Sequence, residues 1–416
     1  MKSIFVYVNG CELRRIDAKR IDLYLSKNGY VIVNKPEDAD IIVFVSCAYL
    51  NRMAESSLNK IKEFQKYDAE LIVAGCLPEI EKEKLAEIFD GRTISTKNID
   101  QIDDLFPENK IKYNQIDDRN NLYPFYTEST GLIAIKLFFR KIRVIEDIYV
   151  KLKNYVLSKI YRKHSIFYKF LSGKKFFIRI SGGCIGNCSY CAIKKAIGPL
   201  KSKPIGECVK ELKKGLNEGY KDFVITSDDI GCYGLDIGSN LPEMLSSITK
   251  VSGEYELLIR GLCPRWIVKY IDNFDKFLKS KKITRIDIPI QSGSSRILKL
   301  MRRYSDVQKI KDALLRFKKS YPELSLFVHC IIGFPTETEE EFKQTLFLIK
   351  EIDFDAGILF KFSCKSGTEA EEIEPKISLE EIDKRLIYAK KFLKNSGYFV
   401  RYQPKMYFFV FEKNNI

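Results

Sequence analysis

The 416-residue sequence has few features of a membrane, secreted or disordered protein. Its apolar runs are too short or too interrupted to cross a bilayer, which takes about 20 consecutive apolar residues. No cleavable leader precedes the strand-like residues 4–8, so we expect a cytoplasmic location. Low-complexity tracts and internal repeats are also absent. The composition, 45% hydrophobic and 30% charged, is that of a soluble globular protein, and the length favours two domains.

Histidine is scarce, with two residues, whereas cysteine is plentiful, with 11. Disulfides are uncommon in the cytosol, so these thiols indicate metal binding, catalysis or inert burial. Cys232 lies on a predicted loop and is expected to be inert. Six others fall into two groups of three. The rest lack ligand spacing and are expected to be small buried hydrophobic residues: Cys208, Cys263, Cys330 and Cys364.

The net charge of +15 is distributed unevenly along the chain. Residues 131–175 carry 12 Lys or Arg against two acids, a local charge of +10. Apolar residues three or four positions apart predict a long basic amphipathic helix there. Such a helix suits binding to nucleic acid, contact with an anionic membrane surface, or packing on the protein with a solvated basic face. The nucleic-acid hypothesis rests on these side chains: Lys136, Arg140, Lys141, Arg143, Lys151, Lys153, Tyr155, Lys159, Tyr161, Arg162, Lys163 and Phe167.

Two blocks of alternating strands and helices predict an α/β protein with two domains. Residues 1–110 have the pattern of a doubly wound parallel sheet. Residues 175–397 contain six strand–helix units, as in a partial (β/α)6 barrel with its chemistry at the carboxyl ends of the strands. Residues 111–174 form an insertion between the blocks, and 398–416 a short tail. The strands are predicted at 4–8, 41–45, 70–74, 176–180, 223–226, 256–260, 285–290, 324–332 and 356–361, and helices at 15–28, 53–66, 205–217, 294–301, 306–319 and 339–352.

The strongest chemical signal is the loop that follows the first barrel strand. It carries Cys184, Cys188 and Cys191 with Cys-x3-Cys-x2-Cys spacing. Three thiolates this close can hold three irons of a [4Fe–4S] cube and leave the fourth iron open to an exchangeable ligand. A zinc site is the alternative, but zinc needs a fourth ligand, and the nearest histidine, His164, lies outside the loop. The spacing therefore favours an iron–sulfur cluster.

A second group of cysteines follows the predicted strands of the first block. Cys11, Cys47 and Cys76 each lie just past a strand end. Because the carboxyl ends of parallel strands meet at one edge of a sheet, these three thiols are expected to converge. The pattern predicts a second metal site, although three buried cysteines placed there by chance are the alternative.

The cysteine loop, with Tyr190 before its last cysteine, resembles that of the radical S-adenosylmethionine superfamily. The N-terminal trio is similar to that of the methylthiotransferase family, whose second cluster is held by three such cysteines. Several later segments also resemble this family, namely 226–234, 289–294, 298–303, 332–338 and 362–368. The chain departs from the family at Lys194 and Ile197, where Pro and Arg are usual, at Arg14 (usually Asn) and at His329 (usually Asp).

The resemblance implies that the protein converts a C–H bond to C–S–CH3 with two [4Fe–4S] clusters and S-adenosylmethionine. One molecule of S-adenosylmethionine would supply the methyl group to a sulfur on the N-terminal cluster. A second molecule would supply the radical that activates the substrate carbon. Family substrates are a modified adenosine of transfer RNA or a ribosomal-protein aspartate. The basic segment favours transfer RNA, whereas too few residues follow 397 for the family's RNA-binding TRAM barrel, which favours a protein or peptide substrate. We expect a modified adenosine of transfer RNA, with a protein or peptide residue as the alternative.

The resemblance also carries expectations about partners and cofactor contacts. We expect a monomer that receives electrons from a donor such as flavodoxin or ferredoxin. A non-catalytic iron–sulfur scaffold or electron carrier is the other hypothesis, although an electron carrier needs no open iron. Polar or glycine residues at the predicted strand ends are assigned to cofactor binding: Tyr190, Ser227, Asp228, Gln291, Ser292, Arg302 and Gly333.

Overall fold

The computed structural model describes residues 1–124, 155, 173–402 and 408–414. Nearly all of the predicted basic helix at 131–175 lies outside these ranges and stays a prediction. The described residues form two compact units. The first comprises residues 1–124, Gly182–Cys184 and Ala192–Pro199; the second comprises 173–181, 185–191, 200–402 and 408–414. None of the helices in these ranges has both the length and the apolar character of a membrane span.

The first unit is built on a five-stranded sheet. Its strands are β1 (Ser3–Val8), β2 (Val31–Ile32), β3 (Ile41–Ser46), β4 (Glu70–Gly75) and β5 (Thr93–Ser95). They are all parallel and lie in the order β2-β1-β3-β4-β5. The helices are α1 (Glu12–Lys27), α2 (Asn51–Phe64), α3 (Leu77–Ile80), α4 (Lys82–Ala86), α5 (Ile102–Leu105) and α6 (Ile193–Ile197), with 3₁₀ turns at Pro36–Asp38, Thr96–Gln101 and Tyr113–Gln115.

Both faces of this sheet are covered, which explains why its central strands are continuous apolar runs. All six residues of β3 are buried. On β1, Val6 belongs to the apolar cluster that contains Ile21 and Leu25 of α1. The next residue, Tyr7, belongs to a second cluster with Phe64 of α2. Alternate residues of one strand thus serve two cores, as the period of two in a strand requires.

The second unit is a series of strand–helix repeats. Its strands are β6 (Lys175–Arg179), β7 (Ser181–Gly182), β8 (Lys201–Ser202), β9 (Asp222–Thr226), β10 (Glu256–Ile259), β11 (Ile283–Gln291), β12 (Ser325–Ile332), β13 (Ala356–Lys361), β14 (Tyr398–Tyr402) and β15 (Phe408–Lys413). Its α-helices are α7 (Ile205–Asn217), α8 (Leu241–Thr249), α9 (Pro264–Lys269), α10 (Ile271–Leu278), α11 (Ser295–Leu300), α12 (Val307–Ser320), α13 (Glu339–Ile352), α14 (Glu369–Glu372) and α15 (Leu379–Asn395), with a 3₁₀ turn at Ile230–Cys232.

An eight-stranded sheet organises this unit, in the order β14-β15-β13-β12-β11-β10-β9-β6. The six strands from β6 to β13 in this order are parallel, so their carboxyl ends share one edge. β15 runs antiparallel to β13, and β14 runs antiparallel to β15. One side of the sheet packs on the helices in a single large core. The predicted partial parallel barrel and the doubly wound first domain are therefore confirmed, with strand bounds within a few residues.

The C-terminal residues differ from the predicted short tail. β14 and β15 add a hairpin to the barrel sheet, in which Leu359 of β13 pairs with Phe409. Phe409 and Phe411 are buried in the core of the second unit together with Tyr398 and Val400. Burial of these four apolar side chains explains why the segment is a strand pair and not a free tail.

Candidate functional site

The cysteine trio of the first unit lies at the carboxyl edge of its sheet. Ser46 and Gly75 are paired across β3 and β4, so Cys47 and Cys76 leave the sheet side by side. The Cys76 amide donates to the Ser46 carbonyl at 3.1 Å. Gly75 has a φ of 101°, and a Cβ there would lie 2.4 Å from the same carbonyl oxygen. Only glycine allows this close approach of the two strand ends.

The three thiols influence one another electrostatically. Burial, and then the nearby Cys11, raise the pKa of Cys47 to about 12, with a smaller contribution from Cys76. Cys11 is exposed at the start of α1, whereas Cys47 and Cys76 are buried. Cys47 is therefore protonated at neutral pH and would release its proton on binding a metal.

A buried arginine lies beside this trio. Arg14 Nη1 is 3.8 Å from Cys76 Sγ and also donates to Thr96 Oγ1. Its Nε is 3.1 Å from Asp17 Oδ2. Gly10 makes room for the side chain, because a Cβ on Gly10 would lie 2.5 Å from Arg14 Cβ. Arg14 thus occupies the position where the resemblance leads one to expect asparagine.

The second trio lies on the loop after β6, and Cys184, Cys188 and Cys191 are all partly exposed. The Cys191 amide donates to the Cys188 carbonyl at 3.1 Å, which closes a tight turn between these two cysteines. Ser189 attaches this turn to the end of α11, since its amide donates to Met301 O at 3.2 Å and its hydroxyl to Leu300 O at 2.7 Å.

Arg303 is a functional candidate that the sequence analysis missed. Its Nη1 is 3.5 Å from Cys188 Sγ and 3.4 Å from Tyr190 Oη. Its Nη2 donates to the Pro289 carbonyl at the end of β11. The preceding residue, Arg302, has a left-handed φ of 54°, and this turn directs Arg303 towards the cysteine loop. In the sequence, Arg302 and Arg303 are adjacent at the end of a helix. Nothing there indicates which of the two side chains approaches the cysteine loop.

Cys263 corrects the prediction of an inert, buried thiol. It lies at the start of α9, just past β10, and is partly exposed. Its thiol hydrogen-bonds with Arg303. Although the residue is partly exposed, the thiol has lost most of its contact with water, and this desolvation raises its pKa to about 11 against the effect of Arg303. Cys364 is also partly exposed, whereas Cys208 and Cys330 are buried as predicted. Cys232, which was predicted to be inert on a loop, is buried too.

Gln291 is the predicted cofactor contact that the geometry favours most. It ends β11 with a left-handed φ of 81°. Its Oε1 is buried and has no hydrogen-bond partner among the described residues. A buried orphan acceptor in strained backbone is typical of a site that awaits a ligand donor. Tyr190 is the other candidate close to the cysteines, and burial above all raises the pKa of its hydroxyl, which therefore stays protonated.

Other predicted cofactor contacts make hydrogen bonds within the protein. Ser227 Oγ lies 2.8 Å from Ser181 Oγ. Ser292 is fully buried, and its Oγ accepts from the Ser294 amide at 3.1 Å. These bonds explain the two serines without a cofactor. Asp228 is partly exposed on the loop after β9.

Arg302 and Gly333 also have explanations within the chain. Arg302 forms a half-exposed ion pair with Glu369 at 2.7 Å. Gly333 has a φ of 82°, and a Cβ there would lie 2.4 Å from the Ile382 side chain of α15. Packing of α15 thus accounts for this glycine, and a cofactor contact through it stays a prediction.

The donor chemistry of both trios fits an iron–sulfur cluster. Each trio offers three thiols on loops at the edge of a sheet. In each trio, one cysteine sulfur accepts a hydrogen bond from a guanidinium. No three Cys, His, Asp or Glu side chains in the described ranges form a group that would ligate a single metal ion, whereas a [4Fe–4S] cube places each cysteine on a different iron. Cluster binding would remove the protons of the thiols.

Arg303 gives a direct test of the cysteine loop. We expect Arg303→Met to lower the rate of reductive cofactor cleavage about tenfold to a hundredfold, the usual effect of losing a hydrogen bond to a charged group. The measurement is 5′-deoxyadenosine formation by the reconstituted, reduced protein. Arg316→Met, which removes ion pairs with Asp272 and Asp275 away from the cysteine loop, is the control and should retain the wild-type rate. Equal rates in all three proteins would remove Arg303 from the site.

Comparison with known proteins agrees with this architecture. Residues 178–349 match the radical SAM superfamily, and residues 3–95 match a family described as "Uncharacterized protein family UPF0004". A probable threonylcarbamoyladenosine tRNA methylthiotransferase of Methanocaldococcus jannaschii is 30% identical over 406 residues, 95% of this chain and 85% of that protein. A tRNA-2-methylthio-N(6)-dimethylallyladenosine synthase of Thermodesulfovibrio yellowstonii is 26% identical and covers 94% of this chain and 83% of its own length.

A solved structure shares the fold at lower sequence similarity. The radical S-adenosylmethionine methyltransferase TsrM of Kitasatospora setae, with cobalamin and a [4Fe–4S] cluster bound, superimposes with a TM-score of 0.60. It is 11% identical, and the match covers 89% of this chain and 77% of that one. At this identity the likeness supports the fold alone.

Proposed function

This chain belongs to the radical S-adenosylmethionine methylthiotransferase family, and we propose that it methylthiolates an N6-modified adenosine of transfer RNA. The observation that carries the proposal is the 30% identity to a probable tRNA methylthiotransferase along nearly the whole chain. Both relatives described above carry names of enzymes that act on a modified adenosine, one with a threonylcarbamoyl group and one with a dimethylallyl group at N6. Methylthiolation of a protein residue, the other hypothesis from the sequence, has no such support.

The family's cofactors are two [4Fe–4S] clusters and S-adenosylmethionine, and when bound they supply the radical, the sulfur and the methyl group. The chain itself would hold one cluster through Cys184, Cys188 and Cys191 and the other through Cys11, Cys47 and Cys76. Arg303 would keep the first cysteine loop in place through Cys188 and Tyr190. Gln291 would accept a hydrogen bond from the bound cofactor, since its Oε1 has no partner among the described residues.

The partners remain proposals that rest on the sequence. We infer that residues 131–175, with a charge of +10, contact the phosphates of transfer RNA. Their pattern suits an anionic membrane surface equally well. We propose that a flavodoxin or ferredoxin donates the electrons. We also propose that the protein is a monomer and that it is located in the cytoplasm.

The decisive experiment supplies the reconstituted, reduced protein with S-adenosylmethionine and transfer RNA bearing either modified adenosine. We expect one of the two nucleosides to gain a methylthio group, detected by mass spectrometry after digestion. Transfer RNA with unmodified adenosine is the control and should remain unchanged. Cofactor cleavage without change in either RNA, together with methylthiolation of a ribosomal protein, would contradict the proposal.

A further inference from the structure

The guanidinium of Arg14 is a buried charged group beside the N-terminal cysteine trio. It is 3% exposed, and burial of a charge is costly unless an opposite charge compensates it. Asp17, which is itself buried, lies 3.1 Å from Nε. The other end of the guanidinium, Nη1, is directed to Cys76 Sγ at 3.8 Å and to Thr96 Oγ1.

Of the three thiols of the trio, Arg14 contacts that of Cys76. Gly10 leaves room for the side chain at position 14, because a Cβ on Gly10 would lie 2.5 Å from Arg14 Cβ.

We propose that Arg14 is a positioning residue that acts as the counter-charge of the N-terminal cluster. This inference rests on the proposed function only in that the cysteine trio must hold a cluster. Three thiolates give such a site a net negative charge, and reduction makes it more negative. A cation hydrogen-bonded to one ligand sulfur stabilises the reduced form more than the oxidised form, which raises the reduction potential.

The potential of this cluster can be measured alone in a full-length chain with Cys184, Cys188 and Cys191 changed to Ala. In that background, Arg14→Gln should lower the ratio of reduced to oxidised cluster about tenfold at a fixed potential, or about 59 mV for a one-electron couple. Arg14→Lys keeps the charge and should restore most of the ratio. Asp17→Asn removes the competing negative charge and should shift the potential in the opposite direction.

Arg20→Gln is the matched control. Arg20 belongs to the same helix, but it donates to the carbonyls of Ile116 at 2.7 Å and Tyr113 at 2.9 Å. If the role of Arg14 is only structural, Arg14→Gln and Asp17→Asn will lower the stability of the protein. They will then not shift the reduction potential of the cluster in opposite directions. If the Arg14→Gln variant loses its iron, the Asp17→Asn variant provides the test. An unchanged reduction potential of the cluster in that variant overturns the proposal. A background protein without any cluster would overturn it as well. A normal cluster in this background, together with wild-type protein that leaves transfer RNA unmodified, would count against the proposed function alone.

Discussion

Changing Cys184, Cys188 and Cys191 to Ala is expected to abolish cofactor cleavage and to leave about half of the iron. The reconstituted wild type should hold about eight irons per chain, in two cubes of about four. The triple variant keeps the N-terminal trio, so about four irons should remain. Iron content and 5′-deoxyadenosine formation after reduction measure the two effects.

The control for this experiment is a variant with three other cysteines changed to Ala, namely Cys208, Cys330 and Cys364. The first two are buried in the core of the second unit, and none belongs to a trio. This variant should retain both iron and cleavage, although the lost packing will lower its stability. If the variant without Cys184, Cys188 and Cys191 still cleaves the cofactor, the radical chemistry originates at another site.

The fold could be predicted from the sequence because its strands are continuous apolar runs between amphipathic helices. For α7, α13 and β13, the predicted bounds are those of the structure. Residues 405–411 are strand-like in sequence, but the partner of this strand could not be anticipated, because β15 pairs with β13 across roughly fifty residues of chain. Such a pairing depends on tertiary packing of Phe409 and Phe411, which no local pattern reveals.

The site was predictable where spacing or strand ends carry the signal. Cys47 and Cys76 leave adjacent strand ends, as the alternation of strands and helices implied. Arg303 could not be found, because its approach to Cys188 depends on the left-handed turn at Arg302. The cofactor contact of Ser292 stays a prediction. Its place near the end of a barrel strand indicated that role, and its hydroxyl also serves the turn before α11.

Changing Cys11, Cys47 and Cys76 to Ala is expected to separate the two parts of the reaction. The variant should still cleave the cofactor, because the cysteine loop with Cys188 and its bond to Arg303 is unchanged. It should no longer insert sulfur, so transfer RNA gains no methylthio group. Its iron content should fall by about half.

A matched control distinguishes loss of the second cluster from damage to the first unit. Ala54→Ser places a polar group in the same core at α2, so it should lower stability while iron content and sulfur insertion persist. If the triple variant keeps all of its iron, the N-terminal trio holds no cluster. Sulfur insertion would then have to begin at another site, and Arg14 would have no cluster charge to compensate.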